Sequence, residues 1–268
     1  MTSFLLALAF AVALWWLGTG VVLALQQRLR PNASGTDEPP AHGVALGVAF
    51  GALGGASALV WAAGQSGVVA SLTGFTAALV LWGALELSHY LGFVTGVHRR
   101  VCPPGARGWY RFRLALGTSI WHELSVAATG LALLAFLHDA PNPAGLHAFL
   151  VLWLMRWSAK LNLFLGVPNF STEWFPTRLS HLASYVRRAP VSALFPVSLT
   201  LASLVTVALA YHAHQASGTR ALAHALPAAL LALAVLEHVL MALPIADTRL
   251  WNRLFGLPPT DADAGADA

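Results

Sequence analysis

Carboxylate and imidazole side chains occur together at three places inside apolar runs of this sequence. The residues are Glu86, His89, His122, Glu123, Glu237 and His238. Glu86 and His89 form an E-x-x-H motif, whose spacing places both side chains on one helical face, as in carboxylate-bridged di-iron bundles. An imidazole nitrogen can also be an axial ligand to haem iron or to a chlorin magnesium. The pattern therefore admits metal or tetrapyrrole chemistry.

The segment "RWSAKLN" adds Arg156, Lys160 and Asn162 to another apolar run. Arg156 and Lys160 are spaced i,i+4 and share one helical face, whereas Asn162 points elsewhere. Ionisable groups inside a membrane span cost about 2.5 to 3.5 kcal/mol each on insertion scales, so they usually face the bundle interior and pair. We therefore expect a buried polar layer in which Arg156 and Lys160 compensate three carboxylates, those of Glu86, Glu123 and Glu237.

Three interpretations of this layer remain open on the residues alone. The first is a structural ion-pair layer. The second is a tetrapyrrole site, haem or bacteriochlorophyll, held by His89, His122 or His238. The third is a di-iron or dimanganese centre, although neighbouring helical residues are about 100° apart and cannot both point straight at one ion. No residue is assigned a catalytic role.

Composition determines which elements must position these side chains. The chain is 57 % hydrophobic and 10 % charged, with a mean hydropathy of +0.66, as expected of an integral membrane protein. Seven apolar stretches are long enough to cross a bilayer as helices. They cover about residues 3–26, 43–64, 68–96, 114–137, 144–167, 191–213 and 221–246. The predicted fold is all-α, with one helical membrane domain over residues 1–254 and a polar, disordered cytoplasmic tail over residues 255–268.

Arginine placement predicts the orientation of the spans. Arginines concentrate after spans one, three, five and seven, whereas the opposite connections contain only Arg220. The positive-inside rule then puts the N-terminus in the periplasm and the C-terminus in the cytoplasm of a bacterial inner membrane. Juxtamembrane arginines beside anionic lipid also account for the net charge of +4, so we expect lipid contact and no nucleic-acid binding.

The polar residues also share a depth. Glu86, His122 and Glu237 each lie roughly 13 to 20 Å along a helix from the nearest charged residue that marks the cytoplasmic boundary. Spans from distant parts of the chain thus bring polar groups to nearly one level, which strengthens the expectation that the groups meet.

Several stretches resemble the PuhE family of photosynthetic complex assembly proteins. The similar runs are "LVLWLMRWSAKLNLFLGVPN", "WHEL", "CPPGA", "LFPVSLTLASL" and "LEHVLMALP". The positions that match the family pattern are Glu86, His122, Glu123, Arg156, Lys160, Asn162, Asn169, Glu237 and His238; His89 is not among them. The resemblance covers most of the chain from the third span onward.

The resemblance implies an inner-membrane factor for assembly of the photosynthetic reaction centre and core antenna. Such a factor modulates or handles bacteriochlorophyll, and its partners are reaction-centre and antenna subunits or other assembly factors. The alternative from the residues is a membrane-embedded di-metal oxidoreductase that acts on a hydrophobic pigment precursor or lipid. A transporter is a third alternative, but the spans show no paired Gly/Pro breaks in two halves.

Overall fold

The computed structural model describes residues 2–28, 42–170 and 177–243. Its helices are α1 (Thr2–Arg28), α2 (His42–Ala63), α3 (Val68–Tyr90), α4 (Gly108–Gly117), α5 (Ile120–Leu137), α6 (Ala144–Leu165), a 3₁₀ helix (Thr177–Tyr185), α7 (Leu194–Gln215) and α8 (Gly218–Ala242). The predicted tail, residues 255–268, lies outside the described residues.

Seven of these helices are long and apolar enough to cross a membrane, and only α4 and the 3₁₀ helix are not. No strand forms in the described ranges, where β structure is limited to an isolated bridge between Val167 and Arg188. Large apolar side chains such as Phe136 lie on the outside, as expected of helices that face lipid. The predicted all-α, polytopic membrane bundle is confirmed.

Helix α3 lies at the centre and packs against α1, α2, α6 and α8. Phe149 of α6 is fully buried and meets Trp82 of α3 edge to face, with ring centroids 5.6 Å apart. Glycines let the helix backbones approach closely: a Cβ on Gly145 would lie 2.7 Å from the carbonyl oxygen of Gly74. Such small-residue contacts are typical of helices packed within a bilayer.

The predicted fourth span, residues 114–137, is not one helix. It breaks between α4 and α5 at Thr118 and Ser119, where Ser119 has φ −138° and ψ 18°. The chain that follows α3 packs into this break: the His98 amide donates to Gly117 O at 3.0 Å. The predicted third span also ends early, at Tyr90 rather than residue 96, because these residues leave the helix to fill the break.

The connections on the side predicted to be cytoplasmic are tied together by hydrogen bonds. Arg111 of α4 donates to Phe164 O at 3.1 Å and to Tyr185 O at 2.7 Å, so it satisfies a carbonyl at the C-terminal end of α6. The Tyr185 hydroxyl donates to Arg100 O at 3.3 Å. Burial raises the pKa of Tyr185 above its usual value near 10, which keeps the phenol a neutral donor at physiological pH.

Candidate functional site

Five polar side chains from three helices and the α4–α5 break form a connected ion-pair hub. The hub consists of Glu86, Ser119, Glu123, Arg156 and Lys160. Arg156 bridges two carboxylates: its Nε lies 2.5 Å from Glu86 Oε1 and its Nη1 lies 2.8 Å from Glu123 Oε1. Lys160 Nζ donates to Glu123 Oε1 and, at 2.9 Å, to Ser119 Oγ. The hub therefore links α3, α5 and α6.

The hub is charge-balanced and largely enclosed. Two carboxylates face two cations, and the side chains of Glu123, Glu86 and Arg156 are 6 %, 12 % and 15 % exposed. Lys160 differs, because 39 % of its side chain is exposed. The charges are paired with no net charge left over. The hydrogen bonding is incomplete, because Glu86 Oε1 and Glu123 Oε2 are buried without a hydrogen-bond partner among the described residues.

The break before α5 positions Glu123. The Thr95 carbonyl accepts hydrogen bonds from the backbone amides of Trp121 (3.0 Å) and His122 (3.2 Å), which satisfies free donors at the start of the helix. Glu123 occupies the first turn of α5, where the helix dipole favours a negative charge. Ser119, four residues earlier, turns its hydroxyl toward Glu123 Oε1 at 3.3 Å. A continuous helix would not expose these amides.

His89 and His122 lie beside the hub as a stacked pair. Their ring centroids are 4.6 Å apart with an interplanar angle of 28°. His122 Nε2 lies 3.5 Å from Glu86 Oε1, and His89 Nδ1 donates to Val94 O at 3.1 Å. His89 is 3 % exposed and His122 is 1 % exposed, so a macrocycle could reach either imidazole only if packed neighbours moved away. This geometry does not favour an axial-ligand role for His89 or His122.

His238 and Asn162 belong to a second polar cluster, between α6, α7 and α8. His238 Nδ1 donates to Ala234 O at 2.9 Å, which leaves Nε2 to accept from Ser158 Oγ at 2.9 Å. Asn162 Nδ2 donates to Ser158 O at 2.9 Å and contacts Ser198 Oγ at 3.4 Å. Both nitrogens of His238 are engaged, so neither is open to a metal or a pigment in this conformation.

Glu237 does not join the hub. Its side chain lies on the exposed side of α8, where Oε1 accepts a hydrogen bond from Trp15 Nε1 of α1 at 2.7 Å. The expectation that two cations compensate three carboxylates is therefore wrong for Glu237, although they do meet Glu86 and Glu123. The physical reason is rotation: Glu237 and His238 are about 100° apart on the helix, and His238 takes the inward direction.

The structure brings together no metal-ligand set in its described part. Among those residues, no group of three or more His, Cys, Asp or Glu side chains could hold a metal ion. Glu86 and His89 do share one side of α3, but Glu86 is bound by Arg156 and His89 by Val94. The observed geometry favours the structural ion-pair interpretation.

Sequence reasoning missed four side chains of these clusters, those of Ser119, Ser158, Ser198 and Trp15. Ser119 was detectable, because it precedes Glu123 by four residues, the spacing at which side chains on a helix meet. Ser158 lies within the "RWSAKLN" segment but has neither charge nor ring to draw attention. Trp15 gave no signal, since a tryptophan in an apolar span is usually a packing residue.

Comparison with known proteins adds a relative and a family. The chain is 35 % identical over 242 residues to a Rhodobacter capsulatus protein described as "Uncharacterized 30.4 kDa protein in puhA 5'region". The alignment covers 90 % of this chain and 87 % of that relative. No solved structure matches the chain. The family described as "Protein of unknown function (DUF3623)" matches residues 1–261, and the chain therefore belongs to the DUF3623 family.

Proposed function

We propose that this protein is an inner-membrane assembly factor for the photosynthetic reaction centre and its core antenna, and that it modulates the supply of bacteriochlorophyll to them. The observation that carries the proposal is the hub. Every charged side chain of the polar layer except Glu237 forms an ion pair there with a neighbouring side chain. Paired charges of this kind support a role in holding the helices in one arrangement.

The photosynthetic part of the proposal draws on two likenesses. The Rhodobacter capsulatus relative is described by its position in the puhA 5' region. The runs around "SAKLNLFLGVPN" and "LEHVLMALP" resemble the PuhE family of assembly proteins. Both likenesses support a photosynthetic role. The resemblance to the assembly family further implies that the partners are membrane subunits of the photosynthetic apparatus or other assembly factors.

The membrane surface of the bundle suits contact with such subunits. Helices α5 and α7 expose apolar side chains along their length, including Leu131 and Phe136 on α5 and Leu201 and Val205 on α7. With the N-terminus in the periplasm, the arginine-rich connections face the cytoplasm. Transmembrane subunits and hydrophobic pigments would then approach the protein laterally, through lipid.

Bacteriochlorophyll handling, in this proposal, does not use His122 or His238 as an axial ligand, because the structure encloses the first and engages both nitrogens of the second. If purified protein shows a stoichiometric near-infrared chlorin band, we expect His122→Ala and His238→Ala substitution to leave that band unchanged. A band lost in either variant would contradict this part and establish a pigment carrier.

The decisive experiment replaces the relative in Rhodobacter capsulatus. The gene for the relative is deleted, the strain receives this chain from a plasmid, and the near-infrared bands of the reaction centre and core antenna are measured in isolated membranes. We expect the deletion to lower those bands and this chain to restore them. Unchanged bands after the deletion would overturn the proposed function.

A further inference from the structure

Glu237 is a membrane-span carboxyl with no cationic partner in the described bundle. It lies five residues before the end of α8, about 7.5 Å along the helix axis. Its side chain is exposed, and the Trp15 indole supplies its hydrogen bond. Among the residues whose side chains are described, which excludes Arg28, no Lys, Arg or His lies within 4.0 Å of its oxygens.

The two cations of the neighbouring span are not available to it. Arg156 is shared between Glu86 and Glu123, and Lys160 is bound to Glu123 and Ser119. A carboxyl on a lipid-facing surface is costly unless it finds a partner. Trp15 donates one hydrogen bond to one oxygen, and no described side chain supplies a cation for the carboxylate form.

We propose that the α1–α8 surface around Glu237 is a docking face for a transmembrane helix of a partner protein that carries a lysine or arginine at matching depth. Exposed Leu236 precedes Glu237 on α8 and lies about 100° from it around the helix, so it gives the face an apolar margin on one side. A cation on the incoming helix would compensate the carboxylate where lipid cannot.

A second copy of this chain fits the face poorly. A two-fold contact places the same surface on both sides of the interface, so a second copy would add another Glu237 carboxyl and none of the described cations. Charge complementarity therefore favours a different chain. This inference does not depend on the photosynthetic assignment, since any basic transmembrane helix satisfies it.

The test uses the full chain with a donor fluorophore at its C-terminus, reconstituted in phosphatidylcholine vesicles. The probes are acceptor-labelled oligo-leucine transmembrane peptides that carry one lysine about 7.5 Å from the cytoplasmic end or no lysine. Energy transfer gives the association constant. We expect the lysine peptide to bind about tenfold more tightly than the all-leucine peptide, and Glu237→Gln to remove most of that difference.

Asp139→Asn is the matched control, because it removes one negative charge from an exposed carboxylate paired with His138 outside the helices. We expect it to leave the tenfold preference unchanged. Equal binding of the two peptides to the unsubstituted chain would overturn the proposal. Energy transfer between labelled copies of the protein would also overturn the proposal if Glu237→Gln abolished that transfer, because the occupant would then be a second copy. Thermal melting of Glu237→Gln within about 3 °C of the unsubstituted chain confirms that the variant is folded.

Discussion

The charge balance of the hub makes Glu123→Gln a sharp perturbation. Glu123 accepts from Arg156, Lys160 and Ser119, and its side chain is 6 % exposed. The substitution leaves two cations facing Glu86 alone, an uncompensated positive charge inside the bundle. Breaking a buried pair by removing one partner costs about 3 to 5 kcal/mol. We expect a value of about 3 kcal/mol, because Lys160 is 39 % exposed and can turn away from the bundle interior.

Two double variants then distinguish paired charges from net charge. Glu123→Gln with Lys160→Met leaves Glu86 and Arg156 paired at 2.5 Å. Glu123→Gln with Arg156→Met has the same net charge but leaves Glu86 and Lys160 without the contacts seen here. We expect the first double variant to recover more than half of the lost stability, and the second to recover none.

Thermal melting in mild detergent, followed by tryptophan fluorescence, measures these effects. A loss of about 3 kcal/mol corresponds to a fall in melting temperature of about 6 to 12 °C for a chain of this size class. Glu237→Gln provides the single-substitution control, since Glu237 touches Trp15 and not the hub. The hub does not stabilise the bundle through paired charges if Glu123→Gln melts within about 2 °C of the unsubstituted protein, or if the two double variants melt at the same temperature.

Further substitutions test the helix break and the close contacts. Gly96→Ala would place a Cβ 2.1 Å from Gly117 O, so we expect little folded protein by size-exclusion chromatography, whereas Gly54→Ala, with nothing within 4 Å, should elute normally. Gly130→Ala would put a Cβ 2.6 Å from an indole ring of α6 and should lower the melting temperature by several degrees, about 1 to 3 kcal/mol of overpacking; an unchanged melt would contradict the packing of α5 on α6. Arg111→Met removes two hydrogen bonds between α4, α6 and the 3₁₀ helix, and limited proteolysis should then cut the 3₁₀ segment faster. Equal cleavage rates would show that the two Arg111 hydrogen bonds are not needed to hold the 3₁₀ helix in place.

Hydropathy was sufficient to predict the seven spans, because a run of about 20 apolar residues has few alternatives to a membrane helix. It did not reveal the break at Thr118 and Ser119. Both residues lie within an otherwise apolar run, and the carbonyl that supports the break comes from Thr95, in another part of the sequence. A window average cannot detect a contact between distant segments.

The sequence was sufficient to predict a buried cluster of paired charges, but not which residues belong to it. The spacing of Arg156 and Lys160 indicated a shared face, and the cost of buried charge indicated partners for Glu123 and Glu86. Depth alone also placed Glu237 with them. Depth does not specify rotation about the helix axis, and the packing of α8 against α1 and α6 directs Glu237 to Trp15 and His238 to Ser158.

We propose that the hub acts by holding the helices together and that the folded bundle then supports assembly. To test this, the Rhodobacter capsulatus deletion strain receives the Glu123→Gln, Lys160→Met double variant, and the core-antenna band is measured in its membranes. We expect restoration close to that given by the unsubstituted chain, since the Glu86–Arg156 pair remains. A double variant that accumulates and melts normally but leaves the band at the deletion level would contradict a purely structural role for the hub, because the carboxylate or the amine would then have a role beyond holding the helices together.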